Sequence, residues 1–393
     1  MRRWPRSSLL WNRCGLGRSS SLRLRCASRL GGSAGVGGSR RCLLVASGRV
    51  ARSSGTLEGV DITTVADDLI VAHHVSPAAA AVRLTDLQPN TVHHIGSHEV
   101  RTLPRPDGQL LCRIGTVNDL HLGEVECGMI DDDPRGPIQR VAPGEPPHPE
   151  TMNRAAVAEM AAADLAAVVV KGDLTCDGND DEFASFENLY REEFGERLHV
   201  VRGNHDAYRG QHAYVGDEWI ELPGVSIALL DTVIPEHTTG SISATQLQWL
   251  DDMASTADRP VIVMGHHQQW ISGKRHNEYF GLDPDSSDAL SEVAGRRTRI
   301  LAYTAGHTHR HRVRTMASGV PSIEVGCVKD FPGTWAEYRV YEGGVTQVVH
   351  RMSSPEALDW SERCRHLLSD FGLDYEKYAL GDLEDRCFNI PLR

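Results

Sequence analysis

Five short segments of the sequence combine Asp, Asn and His in patterns that suit metal binding. Together they hold seven side chains able to donate to a metal ion, which are Asp119, His121, Asp173, Asn204, His266, His307 and His309. Imidazole, carboxylate and amide oxygen donors, without a thiolate, suit Mn, Fe or Zn better than Cu(I) or an iron–sulfur cluster. The residue types therefore predict a metal centre in which no cysteine takes part.

Glycine stands directly before the ligands in four of these segments, at Gly172, Gly203, Gly265 and Gly306. A residue without a Cβ lets the backbone turn sharply and approach the site closely. Where two ligands alternate along an extended segment, their side chains point the same way. We therefore expect Asp119 and His121 to converge on one ion, and His307 and His309 to reach two neighbouring ions.

Apolar runs of strand length lie directly before the polar segments and must position them. Each of five predicted strands ends at a ligand-bearing segment, and these strands cover residues 111–117, 165–171, 198–202, 261–264 and 299–304. Further strands are predicted at 225–230 and 322–325, with helices at 153–163, 181–194 and 243–253. Open α/β sheets bind ligands outside the carboxyl ends of their strands. This order predicts an α/β sandwich with mixed sheets and the metal centre at one edge.

The five segments resemble, in order, the motif string of the calcineurin-like metallophosphoesterase family, which is DxH, GD, GNH[DE], GH and GHxH. The matching region runs over residues 119–309. One GH pair alone is a weak signal, whereas five motifs in the right order are specific. The resemblance implies a four-layer αββα sandwich with two mixed sheets, which a small β unit would precede here.

The resemblance also implies a role for each matched residue. Two divalent or trivalent ions (Mn, Fe or Zn) would be bridged by Asp173. The ligands of the first ion would be Asp119, His121 and His309, and those of the second Asn204, His266 and His307. His205 would contact the substrate phosphate and assist the leaving oxygen, with Asp206 orienting it. Two such cations clamp phosphoryl oxygens and bring the pKa of a shared water near neutrality.

Within the family, the chain is most similar to the class III cyclic nucleotide phosphodiesterases and their bacterial relatives. The similar stretches are DLHLG at 119–123, GNHD at 203–206, LLDT at 229–232 and GSIS at 240–243. This similarity implies hydrolysis of a phosphodiester or phosphomonoester on a small molecule. A 3′,5′-cyclic nucleotide is among the candidate substrates.

Two alternatives stay open at this point. Purple acid phosphatases also place a fibronectin-like module before the metal domain, but their tyrosine ligand, three residues after the bridging Asp, corresponds to Cys176 here. Their GNHE motif is GNHD in this chain. A non-catalytic scaffold with the same fold would have lost ligands or the substrate histidine, and this chain keeps all of them. Both alternatives fit the residues less well than the phosphoesterase hypothesis.

The charge balance favours a small phosphorylated substrate over nucleic acid. The net charge is −12, yet residues 1–57 contain twelve Arg and no acidic residue, which leaves 29 basic against 53 acidic residues in the remainder. A region with this excess of acidic residues repels a nucleic acid phosphate backbone over long range.

Nine cysteines without a CxxC pair indicate mostly reduced thiols and a cytoplasmic location. No apolar run approaches the roughly 20 residues of a membrane-spanning helix.

The chain divides into four predicted regions. Residues 1–57 form an Arg-, Ser- and Gly-rich tail. It is a targeting signal, a disordered extension or a stretch included because the start codon was assigned too far upstream. Residues 58–106 form a small β unit, either fibronectin III-like or an appended hairpin, and residues 110–352 form the metallophosphoesterase domain. Residues 353–393 form a helical extension whose apolar stripe either packs on the core or joins two subunits. The oligomeric state is therefore open, and a dimer is compatible with the sequence.

Substrate specificity is expected to depend on the loops at 128–149 and 268–283, because loops on a rigid scaffold commonly set specificity.

His267, directly after a predicted ligand, either takes a direct part in the function of the site or lines its rim. His311 has no counterpart in the family motifs and is predicted to be a surface histidine.

Overall fold

The structure is a computed structural model that describes residues 59–74, 80–130, 133, 135–276 and 279–393. The tail predicted at 1–57 lies outside the described residues. Within them, no helix is both long and apolar enough to cross a lipid bilayer.

The described part of the chain contains 19 strands and eight α-helices. The strands are β1 (Val60–Val65), β2 (Ile70–His74), β3 (Val82–Leu84), β4 (Val92–Ile95), β5 (His98–Arg101), β6 (Leu110–Val117), β7 (Glu126–Cys127), β8 (Gln139–Arg140), β9 (Ala167–Lys171), β10 (Leu198–Val201), β11 (Glu218–Leu222), β12 (Val225–Leu230), β13 (Val261–Gly265), β14 (Ile300–Ala305), β15 (Arg312–Thr315), β16 (Pro321–Glu324), β17 (Thr334–Tyr341), β18 (Gly344–Arg351) and β19 (Phe388–Pro391). The helices are α1 (His148–Ala161), α2 (Asp180–Phe186), α3 (Glu192–Phe194), α4 (Ala244–Thr256), α5 (Pro284–Arg296), α6 (Pro355–Arg363), α7 (Tyr375–Leu380) and α8 (Leu383–Arg386). Shorter helical turns lie at Glu187–Arg191, Gly195–Arg197, His205–Gly210 and Ser369–Phe371.

Two six-stranded sheets form the centre of the fold. The first has the order β10-β9-β6-β17-β18-β19, in which β10, β9 and β6 are parallel and the other neighbours antiparallel. The second has the order β11-β12-β13-β14-β16-β15, with β12, β13, β14 and β16 parallel and an antiparallel strand at each edge. Both sheets are therefore mixed, and each brings parallel strand ends to one edge.

Helices cover the outer face of each sheet, so that the layers follow the order α, β, β, α. An apolar core that includes Ile114 and Met264 fills the space between the two sheets. Met152 of α1 packs on the first sheet, and Leu250 of α4 packs on the second. Every residue of β9 and β13 is buried, as expected for strands covered on both faces. The predicted αββα sandwich with two mixed sheets is confirmed.

The two ends of the described chain both pack against the first sheet. Strands β1, β2 and β3 form an antiparallel sheet, and β4 pairs with β5 in a separate hairpin. Val348 and Cys387 belong to the same apolar cluster as the side chains of β1 and β2, and Thr64 Oγ1 donates to Val349 O at 2.7 Å. This shared core favours an appended β unit over an independent module. The domain boundaries themselves stay a prediction.

The last forty residues contain both helices and a strand. Their apolar stripe packs on the core, because Leu358 and Trp360 are only 4% exposed and Trp360 stacks on His148 with ring centroids 4.2 Å apart. Strand β19, which the sequence analysis did not predict, extends the first sheet beside β18.

Candidate metal centre

The loops that follow β6, β9, β10, β13 and β14 bring the predicted ligands to one place. The first three strands belong to the first sheet and the last two to the second, so the site lies where the carboxyl ends of both sheets meet. All seven predicted ligand side chains lie in this cluster, and six of their residues are buried. The side chain of His309 is 22% exposed, which leaves the cluster open to solvent on its side.

Five of the predicted ligands have a left-handed backbone. Their φ angles are 55° for Asp119, 47° for His121, 52° for Asp173, 68° for His307 and 53° for His309. This conformation costs an L-residue about 1–2 kcal/mol and is concentrated at functional sites. The expectation that Asp119 and His121 converge by alternation along an extended segment is therefore wrong. Tight turns after the strand ends, and not continued strands, aim these side chains inward.

Gly172 and Gly203 let two of the loops approach each other. A Cβ at Gly203 would fall within 3.0 Å of Asp173 Oδ1 and of the Asp173 backbone nitrogen. A Cβ at Gly172, where φ is 87°, would come equally close to the imidazole of His266. The glycines predicted to permit close approach are therefore needed for the packing of the ligands themselves.

The first group of donor atoms surrounds Nε2 of His266. Asp173 Oδ2, Asn204 Oδ1 and His307 Nδ1 each lie 3.2 Å from this nitrogen. Ligands about 2.0–2.2 Å from one ion are separated by about 3 Å from each other. Each of these three atoms is therefore near enough to Nε2 of His266 to bind the same cation with it.

Asp173 connects this group to a second one. Its Oδ2 atom lies 3.5 Å from His121 Nε2, so a single carboxylate oxygen stands between two imidazoles. On the far side, His309 Nε2 lies 3.7 Å from Asp119 Oδ1, and the ligating atoms of Asp119, His121 and His309 are all within 4.8 Å of one another. Two adjacent cation sites with a shared carboxylate fit this arrangement.

Neighbouring groups fix the orientation of the donors. His266 donates its Nδ1–H to Lys171 O at 2.8 Å, which directs Nε2 toward the cluster. Asn118 donates to Asp119 Oδ2 at 2.6 Å, and the backbone N–H of His307 donates to both oxygens of Asp119 at 3.0 and 3.1 Å. A ligand whose second atom is held in this way is preoriented for a metal.

Burial keeps most of the imidazoles neutral. It lowers the pKa of His121 to about 4 and the pKa values of His307 and His309 well below the usual range. Only a neutral imidazole has a lone pair to give to a metal ion. These three side chains are therefore in the ligating form at neutral pH.

Two other predicted ligands have raised pKa values. Burial alone would lower the pKa of His266, but the carboxylate of Asp173 raises it to about 9. Burial, together with the charge of Asp173, raises the pKa of Asp119 to about 6. A protonated His266 therefore offsets only one of the two carboxylates, Asp119 and Asp173, and a cation can take the place of its proton.

The buried polar atoms support the fit to metal ions. Nε2 of His121, the ring atom that faces Asp173, is buried and has no hydrogen-bond partner among the described residues. Leaving such an atom unpaired costs about 1–3 kcal/mol. Imidazole, carboxylate and amide donors, with no cysteine among the seven, suit divalent Mn, Fe or Zn. The residues present therefore fit the pair of ions that the sequence predicts.

His205 lies at the edge of this cluster. Its ring centroid is 4.5 Å from that of His121, and its Nδ1–H donates to the carbonyl oxygen of Cys176 at 2.6 Å. This bond leaves Nε2 as the ring atom available to a substrate. The ring is half-buried, so it is accessible from solvent.

Asp206 occupies a different place from the one expected. Its carboxylate accepts hydrogen bonds from the backbone N–H groups of Gly203, Leu174 and Thr175 and from the Thr175 hydroxyl. None of its hydrogen bonds among the described residues goes to His205. Asp206 therefore holds the two ligand loops together, and the Cys176 carbonyl is what orients the His205 ring.

Several residues around the centre were not singled out from the sequence. Asn118 orients Asp119, and Tyr208 OH accepts a hydrogen bond from Asn204 Nδ2 at 2.9 Å. The ring of Phe280, in the second predicted specificity loop, stacks on His307 with centroids 4.2 Å apart. Their positions next to the motifs were visible, but nothing in their residue types alone indicated the contacts.

His311 is another correction. It is 1% exposed, where a surface position was predicted. Its Nδ1 accepts the N–H of Gly326 at 3.2 Å, and its Nε2 lies 3.2 Å from Thr334 Oγ1. Both ring nitrogens are therefore satisfied by hydrogen bonds, and the residue is a buried structural histidine.

An αββα sandwich with such a cluster at the strand ends is characteristic of the metallophosphoesterases. The particular family follows from the sequence, since the family model of the calcineurin-like phosphoesterases matches residues 112–311. The chain belongs to the calcineurin-like phosphoesterase family, which confirms the resemblance seen in the motifs.

Curated relatives of the chain carry phosphodiesterase names. It is 28% identical over 151 residues to a probable cyclic nucleotide phosphodiesterase of Synechococcus sp., covering 36% of this chain and 57% of that protein. It is 29% identical over 168 residues to a cAMP/cGMP dual specificity phosphodiesterase of Mycobacterium tuberculosis, covering 39% of this chain and 52% of that protein. The chain thus matches little more than half the length of either relative.

Among solved structures, the chain is similar to a dimetal phosphatase from Danio rerio. The two are 17% identical with a TM-score of 0.49, over 62% of this chain and 97% of that one.

Proposed function

We propose that this chain is a metal-dependent hydrolase that cleaves phosphoric esters of small molecules. The observation that carries the proposal is the position of Asp173 Oδ2, 3.2 Å from Nε2 of His266 and 3.5 Å from Nε2 of His121. A carboxylate between two imidazole groups, each with further donors around it, suits two adjacent cations. Membership of the calcineurin-like phosphoesterases supports the same chemistry.

The ligand set follows from the two donor groups. In this proposal Asp119, His121 and His309 hold the first ion, Asn204, His266 and His307 hold the second, and Asp173 bridges them. When bound, two such cations polarise phosphoryl oxygens and lower the pKa of a water molecule toward neutrality. Mn, Fe and Zn all suit these donors.

His205 is the proposed proton donor to the leaving oxygen. Its backbone N–H donates to Asp173 Oδ1 at 3.0 Å, which fixes the residue beside the central carboxylate. The Cys176 carbonyl accepts the Nδ1–H, so the ring can act as an acid only when a second proton is bound at Nε2. A histidine placed in this way is a suitable general acid. Asp206 contributes indirectly, since it holds the loops that carry Asp173 and His205.

A phosphodiester is the substrate class with most support, and a 3′,5′-cyclic nucleotide is the first candidate to test. The support is the names of the two bacterial relatives, together with the exposed Phe280 ring beside His307, on which an aromatic base could stack. A nucleic acid partner is disfavoured by the acidic body of the chain. Cleavage of a monoester is the alternative within the same chemistry.

The other two hypotheses have less support. A purple acid phosphatase needs a phenolate ligand where this chain has Cys176, and burial raises the pKa of that thiol to about 12. Cys176 also belongs to none of the possible metal-ligating groups in the described part of the chain. A scaffold without catalysis has no need for the strained backbone at ligands such as Asp119 and His307.

The test is hydrolysis of bis(p-nitrophenyl) phosphate by metal-free protein resupplied with Mn(II). We expect turnover that Asp173→Ala reduces to background, because both ions lose a ligand. Asp252→Ala, on the exposed face of α4, is the matched control and should retain the full rate. A panel of cyclic nucleotides, phosphodiesters and phosphomonoesters then identifies the substrate. Absence of turnover with Mn(II), Fe(II) and Zn(II) alike would favour the scaffold hypothesis.

A reducing compartment such as the cytoplasm suits the chain. Six cysteines are free thiols in the described residues, and five of these are buried. Thiols of this kind persist where glutathione and thioredoxin keep them reduced.

A further inference from the structure

His267 is a fully buried histidine that the ligand set above leaves without a role. It directly follows His266 at the end of β13 and is 0% exposed. Its Nδ1 lies 2.8 Å from Thr232 Oγ1, and the same hydroxyl oxygen is 3.4 Å from the His267 backbone nitrogen. The other ring nitrogen, Nε2, has no hydrogen-bond partner among the described residues.

The ring of His267 lies beside two of the proposed ligands. Its centroid is 4.9 Å from that of His266 and 4.7 Å from that of His307. One ring nitrogen of each of the three residues can be chosen so that all three atoms lie within 4.8 Å of one another. Three imidazoles therefore border the same small volume.

An unpaired nitrogen alone would not distinguish His267, because Nε2 of His74 and Nε2 of His93 are also buried and unpaired. Neither of those residues belongs to a group of possible metal-ligating side chains in the described structure. The buried structural histidine His311 shows the opposite pattern, since both of its nitrogens have partners. His267 combines an unpaired nitrogen with a position among donors.

The fold makes room for this ring. A Cβ at Gly240 would fall within 3.0 Å of the His267 imidazole, so no larger residue fits there without a shift. Gly240 itself is fixed, because its N–H donates to Gly281 O at 2.8 Å and its carbonyl accepts from Asp283 at 2.9 Å. The backbone of Thr238 also lies close to the ring, but it forms no hydrogen bond of normal geometry with Nε2. Several segments of the chain therefore surround the His267 ring and fix its position.

We propose that His267 is an additional ligand, through Nε2, of the ion held by Asn204, His266 and His307. Thr232 accepts the Nδ1–H and so orients the ring, as outer partners of ligating histidines generally do. This inference rests on the proposed function, since it requires a cation at that position. It raises the number of protein donors on this ion from four to five.

Titration of metal-free protein with Co(II), followed by visible absorption and by metal analysis, tests the inference without any measurement of activity. Wild-type protein should bind two ions. We expect His267→Ala to bind the first ion normally and the second at least about tenfold more weakly, with a changed Co(II) spectrum. His98→Ala, in the exposed β4–β5 hairpin, is the matched control and should be unchanged.

Two further variants keep the inference testable if His267→Ala does not fold. Gly240→Ala displaces the ring but removes no ligand, and Thr232→Val removes the partner of Nδ1. Both should weaken the second Co(II) ion selectively. Two ions bound with wild-type affinity and spectrum in the folded variants would overturn the inference alone. Fewer than two ions on the wild-type protein would overturn the proposed function as well, so the two failures can be told apart.

Discussion

The backbone N–H of His205 donates to Oδ1 of Asp173 at 3.0 Å, while the other oxygen of the same carboxylate lies between the imidazoles of His121 and His266. One carboxylate therefore connects the proposed metal ligands to the proposed proton donor. The position of His205 is set by its backbone and by the Cys176 carbonyl, and its imidazole remains free to act.

Replacing His205 should separate catalysis from metal binding. His205→Ala keeps the backbone N–H that holds Asp173 and removes only the imidazole. We expect kcat for bis(p-nitrophenyl) phosphate to fall by about 10²–10⁴, the range for loss of a general acid, with two metal ions still bound. Steady-state kinetics and metal analysis of the same preparation measure the two properties.

Cys176→Ser is the control for this prediction. The carbonyl oxygen of residue 176, and not its thiol, accepts the hydrogen bond from His205, so the serine variant should keep both metal content and rate. If His205→Ala loses the metal ions together with activity, the imidazole is a ligand and the assignment as proton donor is wrong.

Gly203 should be unable to accept even a methyl group. A Cβ there would overlap Asp173 Oδ1 and the Asp173 backbone, which are both fixed. We expect Gly203→Ala to lower metal affinity at least about tenfold and to destabilise the fold by about 1–3 kcal/mol. Gly295→Ala in α5 is the matched control, because its nearest neighbour would be Ser318 Cβ at 3.3 Å. Metal titration and urea denaturation distinguish the two variants, and equal behaviour would contradict the packing argument.

The parts of the fold that the sequence predicted best are the buried parallel strands. β9 was predicted at 165–171 and begins at Ala167, and β13 was predicted at 261–264 and ends at Gly265. Such strands are continuous apolar runs, which are easy to recognise. β17 and β18 were missed, although all their residues are buried, because charged residues such as Glu337 and Arg351 interrupt their apolar pattern.

For the site, residue types and order predicted which side chains gather but not how. The left-handed backbone at Asp119 and His307 depends on the surrounding loops, and no local signal marks it. The hydrogen bonds of Asp206 to Leu174 and Thr175 were also hidden, because they join segments about thirty residues apart. Tertiary contacts decide these features, so a pattern of residue types could not provide them.

Removal of metal should destabilise the protein. Without cations, Asp119 and Asp173 are two buried carboxylates in one cluster, and Nε2 of His121 has no hydrogen-bond partner among the described residues. A ligand that binds only the folded state stabilises that state by about 2.7 kcal/mol when the ligand concentration is one hundred times its Kd. We therefore expect the Tm to fall by several degrees in EDTA and to recover with Mn(II). Calorimetry on Asp173→Ala should show no such recovery, and a full recovery in that variant would contradict the ligand assignment.

Acid should weaken the protein partly through Glu337, one of the charged residues that concealed β17. Burial opposes ionisation of this carboxyl, but the hydrogen bond with His350 and the charges of His350 and Arg339 lower its pKa from 4.5 to about 2. A pKa that is lower in the folded state gives stability that is complete above pH 4.5 and is lost as the pH falls toward 2. The shift corresponds to about 3 kcal/mol.

Glu337→Gln should therefore be less stable than the wild type at pH 6, and the difference should shrink between pH 4.5 and pH 2.5. Urea denaturation in EDTA measures this, because both proteins then lack metal ions and protonation of the ligands contributes equally. Glu99→Gln, at an exposed position of β5, should follow the wild-type curve throughout. Protonation removes the charge of Glu337 but leaves its packing unchanged. A stability difference between the two proteins that stays constant over this pH range would therefore mean that Glu337 stabilises β17 by packing alone.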